Sequence, residues 1–91
     1  MSKREMLEKA IAIVADRGEQ YGSAKSNLDR VAALWSVWLH VPVVASDVAI
    51  MNILQKMVRI ESNGGDHEDS WIDIAGYAAL GAEIAEQNGG E

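Results

Sequence analysis

No cysteine occurs among the 91 residues, which excludes disulfides and thiolate zinc sites. Histidine is nearly as scarce: His40 and His67 are isolated and make no zinc site alone. No run approaches the roughly 20 apolar residues of a membrane span. Met1-Ser2-Lys3-Arg4-Glu5 does not lead into a signal-peptide core, so a cytoplasmic protein with no membrane partner is expected. Positive charge is also in short supply. Eight Lys and Arg stand against fourteen Asp and Glu, giving a net charge of −6 and a pI near 4.8. A binder of nucleic-acid duplex needs a basic face, and none is available at this level. A small phosphorylated ligand is not excluded, because two or three well-placed cations suffice for it. There is no β-period stretch and no internal repeat. No Ser-His-Asp or Cys-His arrangement can be proposed, and no Gly-rich phosphate loop follows a strand.

What the chain has is apolar helix. Of its residues 48% are hydrophobic, yet a chain this short buries only about 60–65% of the surface its unfolded form exposes. A homo-oligomer, most simply a twofold dimer, is the expected outlet for the excess. Residues 1–91 read as one all-α domain, an antiparallel four-helix bundle with helices at about 3–17, 26–40, 46–62 and 69–87. Ser2-Lys3-Arg4-Glu5 has the form of a capping box. Met6, Ala10, Ile13 and Val14, with Leu7 and Ile11, make the first apolar stripe, and Gly18 is the expected stop. A polar segment, Glu19 to Lys25, follows. The second stripe is Leu28, Val31, Ala32, Trp35, Trp38 and Leu39, ended before Pro42. The third helix starts near Ser46-Asp47 and breaks at Asn63-Gly64-Gly65-Asp66. The fourth, from Asp69-Ser70, is rich in small residues, and its glycines imply a neighbour approaching closely.

The most informative stretch is Val48 to Ile60. As a helix it places Ala49, Ile50, Ile53, Met57 and Ile60 on one side and Val48, Met51, Leu54 and Val58 on another. Between them runs a narrow polar stripe, Asn52, Lys56 and Arg59. Cations on a helix apolar around most of its circumference need an anionic partner, because burying an unpaired charge is costly. That partner is either a carboxylate of the chain (Asp73, Asp69 or Asp47), fixing helix register, or the phosphate of a ligand held by Lys56 and Arg59. Asp69 and Asp73 share a helix face with Tyr77. Such carboxylates, with Asp47, are candidate Mg²⁺ ligands, although acids in a helix's first turn are also favoured by the macrodipole and by capping. Asp73, one turn further in, is not explained that way. Arg17 and Tyr21 belong to the longest connection, where a loop is well placed to carry function. Tyr21 either packs that loop onto the bundle or stacks on a base. Trp71 stands beside the acids as a further ligand-contact candidate, whereas Trp35 and Trp38 read as core or interface anchors.

The order Arg17…Tyr21-Gly22-Ser23, Val31 to Trp35, Asp47-Val48-Ala49, Lys56…Arg59 and Asp69-Ser70-Trp71-Ile72-Asp73-Ile74-Ala75-Gly76-Tyr77 resembles a small family of uncharacterised phage and prophage proteins. The likeness spans roughly residues 12 to 85. More distantly, Tyr-Gly, Lys-x-x-Arg and an Asp-x-x-x-Asp-x-x-x-Tyr helix are similar to phage domains associated with nucleotide modification. They are also similar to all-α nucleoside triphosphate pyrophosphohydrolases of MazG type. In the latter, a Glu-Glu-x-x-Glu helix and a Glu-x-x-Asp helix hold Mg²⁺. This chain has no Glu-Glu-x-x-Glu, which weakens catalysis more than binding.

Three functions are therefore carried forward. The first is Mg²⁺-dependent hydrolysis of a nucleotide phosphoanhydride, with Asp73 and Lys56 catalytic, Asp47, Asp69 and Asp73 on the metal, and Arg59, Lys56, Tyr21, Arg17, Trp71 and Tyr77 around the ligand. The second is a non-catalytic sponge for a cyclic or other nucleotide immune signal, an anti-defence role in the host cytoplasm if the chain is phage-encoded. The third is a structural protein without a ligand, in which the charged stripe only sets register.

Overall fold

The structure is a computed structural model that describes the backbone of residues 1–21 and 24–87 and the side chains of 1–16 and 25–86. Its elements are α1 (Lys3–Tyr21), α2 (Ala24–Leu39), α3 (Ala45–Ser62) and α4 (Glu68–Gln87), with no strand among the described residues. The all-helical expectation holds, and the helix ends follow local chemistry. Ser2 Oγ accepts the Glu5 N–H at 3.1 Å and reaches its carboxylate at 3.2 Å, closing the capping box at the start of α1. Gly18 does not stop that helix, which continues to Tyr21. A single helical glycine costs only about 1 kcal/mol, and the expected Glu19–Lys25 connection shrinks accordingly.

His40, at φ 59°, ends α2 in the left-handed region two residues before Pro42. Ser36 then clasps the turn: its Oγ accepts the Val43 N–H at 2.8 Å and lies 2.8 Å from the Ala32 carbonyl. Asp47 is three residues into α3, where its Oδ2 accepts the Val44 N–H at 3.0 Å. The glycine break after α3 is a Schellman turn. Gly64 N–H donates to Glu61 O and Gly65 N–H to Ile60 O, with φ 67° and 92° at the two glycines. His67 opens α4: its carbonyl accepts the Ser70 and Trp71 N–H groups, and its Nδ1 lies 2.6 Å from the buried Ser70 Oγ.

The helices pack unequally. The most extensive contact is α3 on α4; α1 lies on α4 and α2 on α3, while α1 and α2 scarcely meet. Leu28 and Ala32 of α2, Ala45, Val48 and Ala49 of α3, and Ile84 of α4 form the buried core, with Val31, Trp35, Val43 and Leu80 against it. The buried side of α3 is Val48, Ala49, Asn52, Ile53, Lys56 and Ile60, so Ile50 and Met57 fall outside the face expected for them. Leu7 and Ile11 of α1 and Trp38 and Leu39 of α2 are likewise exposed rather than part of the inward stripes.

The glycines of α4 do admit close neighbours. A Cβ on Gly81 would sit 3.2 Å from the Ala49 Cβ, and one on Gly76 would sit 3.4 Å from Val14 Cγ2. The two positions should answer differently to alanine. At Gly76 the contact is ordinary and the helix gains propensity, so Gly76→Ala raises stability by up to about 1 kcal/mol, roughly 4–8 °C in Tm. At Gly81 the opposing atom is fixed to a helix backbone, so Gly81→Ala shows no gain or a loss. Thermal denaturation by circular dichroism separates the two.

Candidate functional site

Beside the sparse contact of α1 with α2 lies a cleft of about 740 Å³ to which all four helices contribute. Ile13 and Val14 of α1, Leu28, Val31 and Trp35 of α2, Val48 of α3 and Ile72 and Leu80 of α4 give it apolar walls. Val48 and Leu28 belong to the core as well, so the cleft's floor is rigid. Four polar side chains also face it: Asn27 from the first turn of α2, Asn52 from α3, and Asp73 and Tyr77 one turn apart on α4. Asn27, Asn52 and Tyr77 spend no side-chain polar group on a protein hydrogen bond among the described residues, and none of these groups is sealed from solvent.

Behind this edge lies the ion pair that the apolar third helix called for. Lys56 Nζ is 3.0 Å from Asp73 Oδ2, with side-chain exposures of 18% and 12%. The spacing explains the arrangement. Asn52 and Lys56 are separated by four residues on α3, and Asp73 and Tyr77 by four on α4, so each pair stacks along one face of its helix. Where α3 and α4 cross, the two faces meet. Asp73 also makes a further contact beyond the one to Lys56. The carboxylate is therefore part of the bundle's own electrostatics as well as of the cleft wall.

The other described candidates are not gathered here. Arg59 is exposed and does not share the inward face with Lys56; only its backbone carbonyl is engaged, by Asn63 Nδ2 at 2.7 Å. It lies in the helix's last turn, where a long side chain reaches solvent easily. Asp47 is exposed and occupied with the cap of α3. Asp69 is exposed in the first turn of α4, where the macrodipole favours an acid. Trp71 is 45% exposed and donates its Nε1–H to the Gly65 carbonyl at 3.1 Å, tying α4 to the preceding turn. Arg17 and Tyr21 lie outside the described side chains. Among the described residues no group of three or more His, Cys, Asp or Glu comes together that could hold a metal ion. Asp47 caps α3, Asp73 faces Lys56 and Asp69 stands exposed at the start of α4, so these three acids are not gathered into one cluster.

Three cleft residues escaped the sequence reading. Asn27 looks like helix-start chemistry and Trp35 like core. Asn52 carried the one usable signal, its place one turn before Lys56 in the polar stripe.

A four-helix, all-α chain with a polar-edged cleft is the class these features define. The chain belongs to the family described as a domain of unknown function, DUF6378, whose profile matches residues 5–85. It is similar to the Gene 55 protein of Mycobacterium phage L5, 44% identical over 69 residues, covering 75% of this chain and 44% of that one. It is also similar to the Gene 55 protein of Mycobacterium phage D29, 35% identical over 83 residues, 90% of this chain and 54% of the relative. The chain thus spans about half the length of these curated relatives. No solved structure matches it. No described helix is long and apolar enough to cross a membrane.

Proposed function

We propose that the chain is a nucleotide-binding module that recognises its ligand by the base, held in this cleft, and does not turn it over. The observation that carries the reading is the set of three unspent polar groups, Asn27, Asn52 and Tyr77, at the edge of a largely apolar cleft that Asp73 also faces. At about 740 Å³ the cleft has the size of a small-molecule site. A flat heteroaromatic ring buries its faces against Val31, Trp35 and Leu80. Its edge meets two carboxamides, each able to donate and accept, and a phenol. The Asp73 carboxylate favours a ring that brings N–H donors. It also disfavours an anion at this spot, because Lys56 is already its counter-charge. Phosphate is therefore carried toward the mouth rather than onto Lys56 and Arg59. That the described acids form no cluster of three supports binding without turnover. In this reading the antiparallel bundle is a holder, and sequestration of a nucleotide in the host cytoplasm is the role it suits.

The test is a thermal-shift and calorimetric panel of nucleosides, nucleotides, cyclic dinucleotides, pyrophosphate and triphosphate, each with Mg²⁺ and with EDTA. The expected result is a base-dependent rise in Tm that EDTA leaves unchanged, with the nucleotide recovered intact. Asn52→Leu weakens binding about tenfold or more, as loss of one or two hydrogen bonds in a partly dry site implies. If inorganic triphosphate binds as well as the nucleotide, recognition is by phosphate and the reading fails. If pyrophosphate or monophosphate appears only with Mg²⁺, the protein is a hydrolase instead.

A further inference from the structure

The outward face of α3 has no partner within the chain. Ile50, Met51, Leu54, Met57 and Val58 fall within an arc of about 120° opposite the buried side, and are 41–63% exposed. From Val48 to Val58 the only charged residue is Lys56, and it is turned inward to Asp73. Asp47 and Glu61, both exposed and in the same arc, bound this face at its two ends; between them it carries no charge over about two and a half turns. The spacing of Met51, Leu54 and Val58, with Ile50 and Met57 beside them, is that of a helix–helix contact seam.

The whole chain shows the same deficit of burial. A compact monomer of 9.9 kDa exposes about 5,200 Å², whereas this chain exposes 6485 Å². Its radius of gyration is 13.9 Å, against about 12 Å for a compact domain of this length. The excess, about 1,300 Å² per chain, exceeds the roughly 800 Å² that each partner contributes to a standard interface. We infer that the chain is a twofold dimer in which α3 of one copy packs on α3 of the other through this face, with Leu54 near the axis. A second copy fits because it brings the same ridge-forming surface, uncharged between its ends, while Asp47 and Glu61 stay at the solvated rim where the crossing helices diverge.

The full chain is examined by sedimentation equilibrium from low micromolar to several hundred micromolar. A dimer is expected, and Leu54→Glu shifts it to monomer with at least a hundredfold weaker association. Helical content is unchanged, because Leu54 is 53% exposed before association. Since the chain has no cysteine, Leu54→Cys gives an independent reading: oxidation yields a covalent dimer, and Ile11→Cys on α1, exposed but off the seam, does not. A wild-type chain that stays monomeric throughout overturns the inference. So does a dimer that survives Leu54→Glu but dissociates in Trp38→Glu, which would place the contact on α2.

Discussion

Asp73→Leu lowers the melting temperature by roughly 10–20 °C, corresponding to about 2–3 kcal/mol. The substitution leaves the Lys56 ammonium, only 18% exposed, without the carboxylate 3.0 Å away. Breaking a fully buried pair by removing one member costs about 3–5 kcal/mol; the residual solvent at this pair places the effect toward the low end. Lys56→Met is milder, because Asp73 retains another contact after losing the ammonium. The double variant Lys56→Met with Asp73→Leu recovers most of the loss, since two apolar side chains replace a desolvated pair, and what is not recovered reports the further Asp73 contact. A double-mutant cycle from urea denaturation measures the coupling directly. Additive losses would show that the pair is not a unit.

Ile84→Ala is expected to cost about 4 kcal/mol, and Ile72→Ala only about 2 kcal/mol, although both side chains are buried. Ile84 lies in the centre of the α2–α3–α4 core among Leu28, Ala32, Val48 and Ala49, so its truncation opens a closed void there. Ile72 lines the cleft, and its truncation merely enlarges a space that already exists. The difference between the two losses therefore reports the cavity contribution, with the transfer contribution held nearly constant. Equal losses would mean that the cleft closes up in solution. Denaturant titration with a shared slope decides the matter.

Much of this architecture is legible from sequence because it is local. Ser2 with Glu5, and Asn63-Gly64-Gly65, act through backbone hydrogen bonds within one turn, so residue type and spacing suffice. The paired Lys56 and Asp73 are also foreseeable, because an apolar helix leaves a cation few alternatives and Asp73 lies beyond the first turn that would otherwise explain it. What sequence conceals is direction on helices that are apolar on two sides. Ile50 and Met57 carry the same hydropathic signal as Ile53 and Ile60, yet face the other way. Arg59 shares the polar stripe with Lys56, and its nearness to the end of α3 sends it outward. The cleft itself lies where two helices meet only sparsely, and no residue encodes a sparse contact. Asn27 and Asn52 become functional candidates only once that cleft is seen.

The uneven packing has a dynamic corollary. Every buried member of the main core comes from α2, α3 or α4, whereas the described side chains of α1 contribute Ala10, half-buried Met6 and Ile13, the Val14–Gly76 approach and an exposed Lys9–Glu68 pair at 3.2 Å. Surface pairs of that kind contribute little. Opening of α1 alone would swing back the Ile13 and Val14 wall of the cleft while leaving the α2–α3–α4 core intact. Access to the interior is then set by how often one helix lets go, and any occupant that bridges Ile13 to Tyr77 slows amide exchange along the whole first segment.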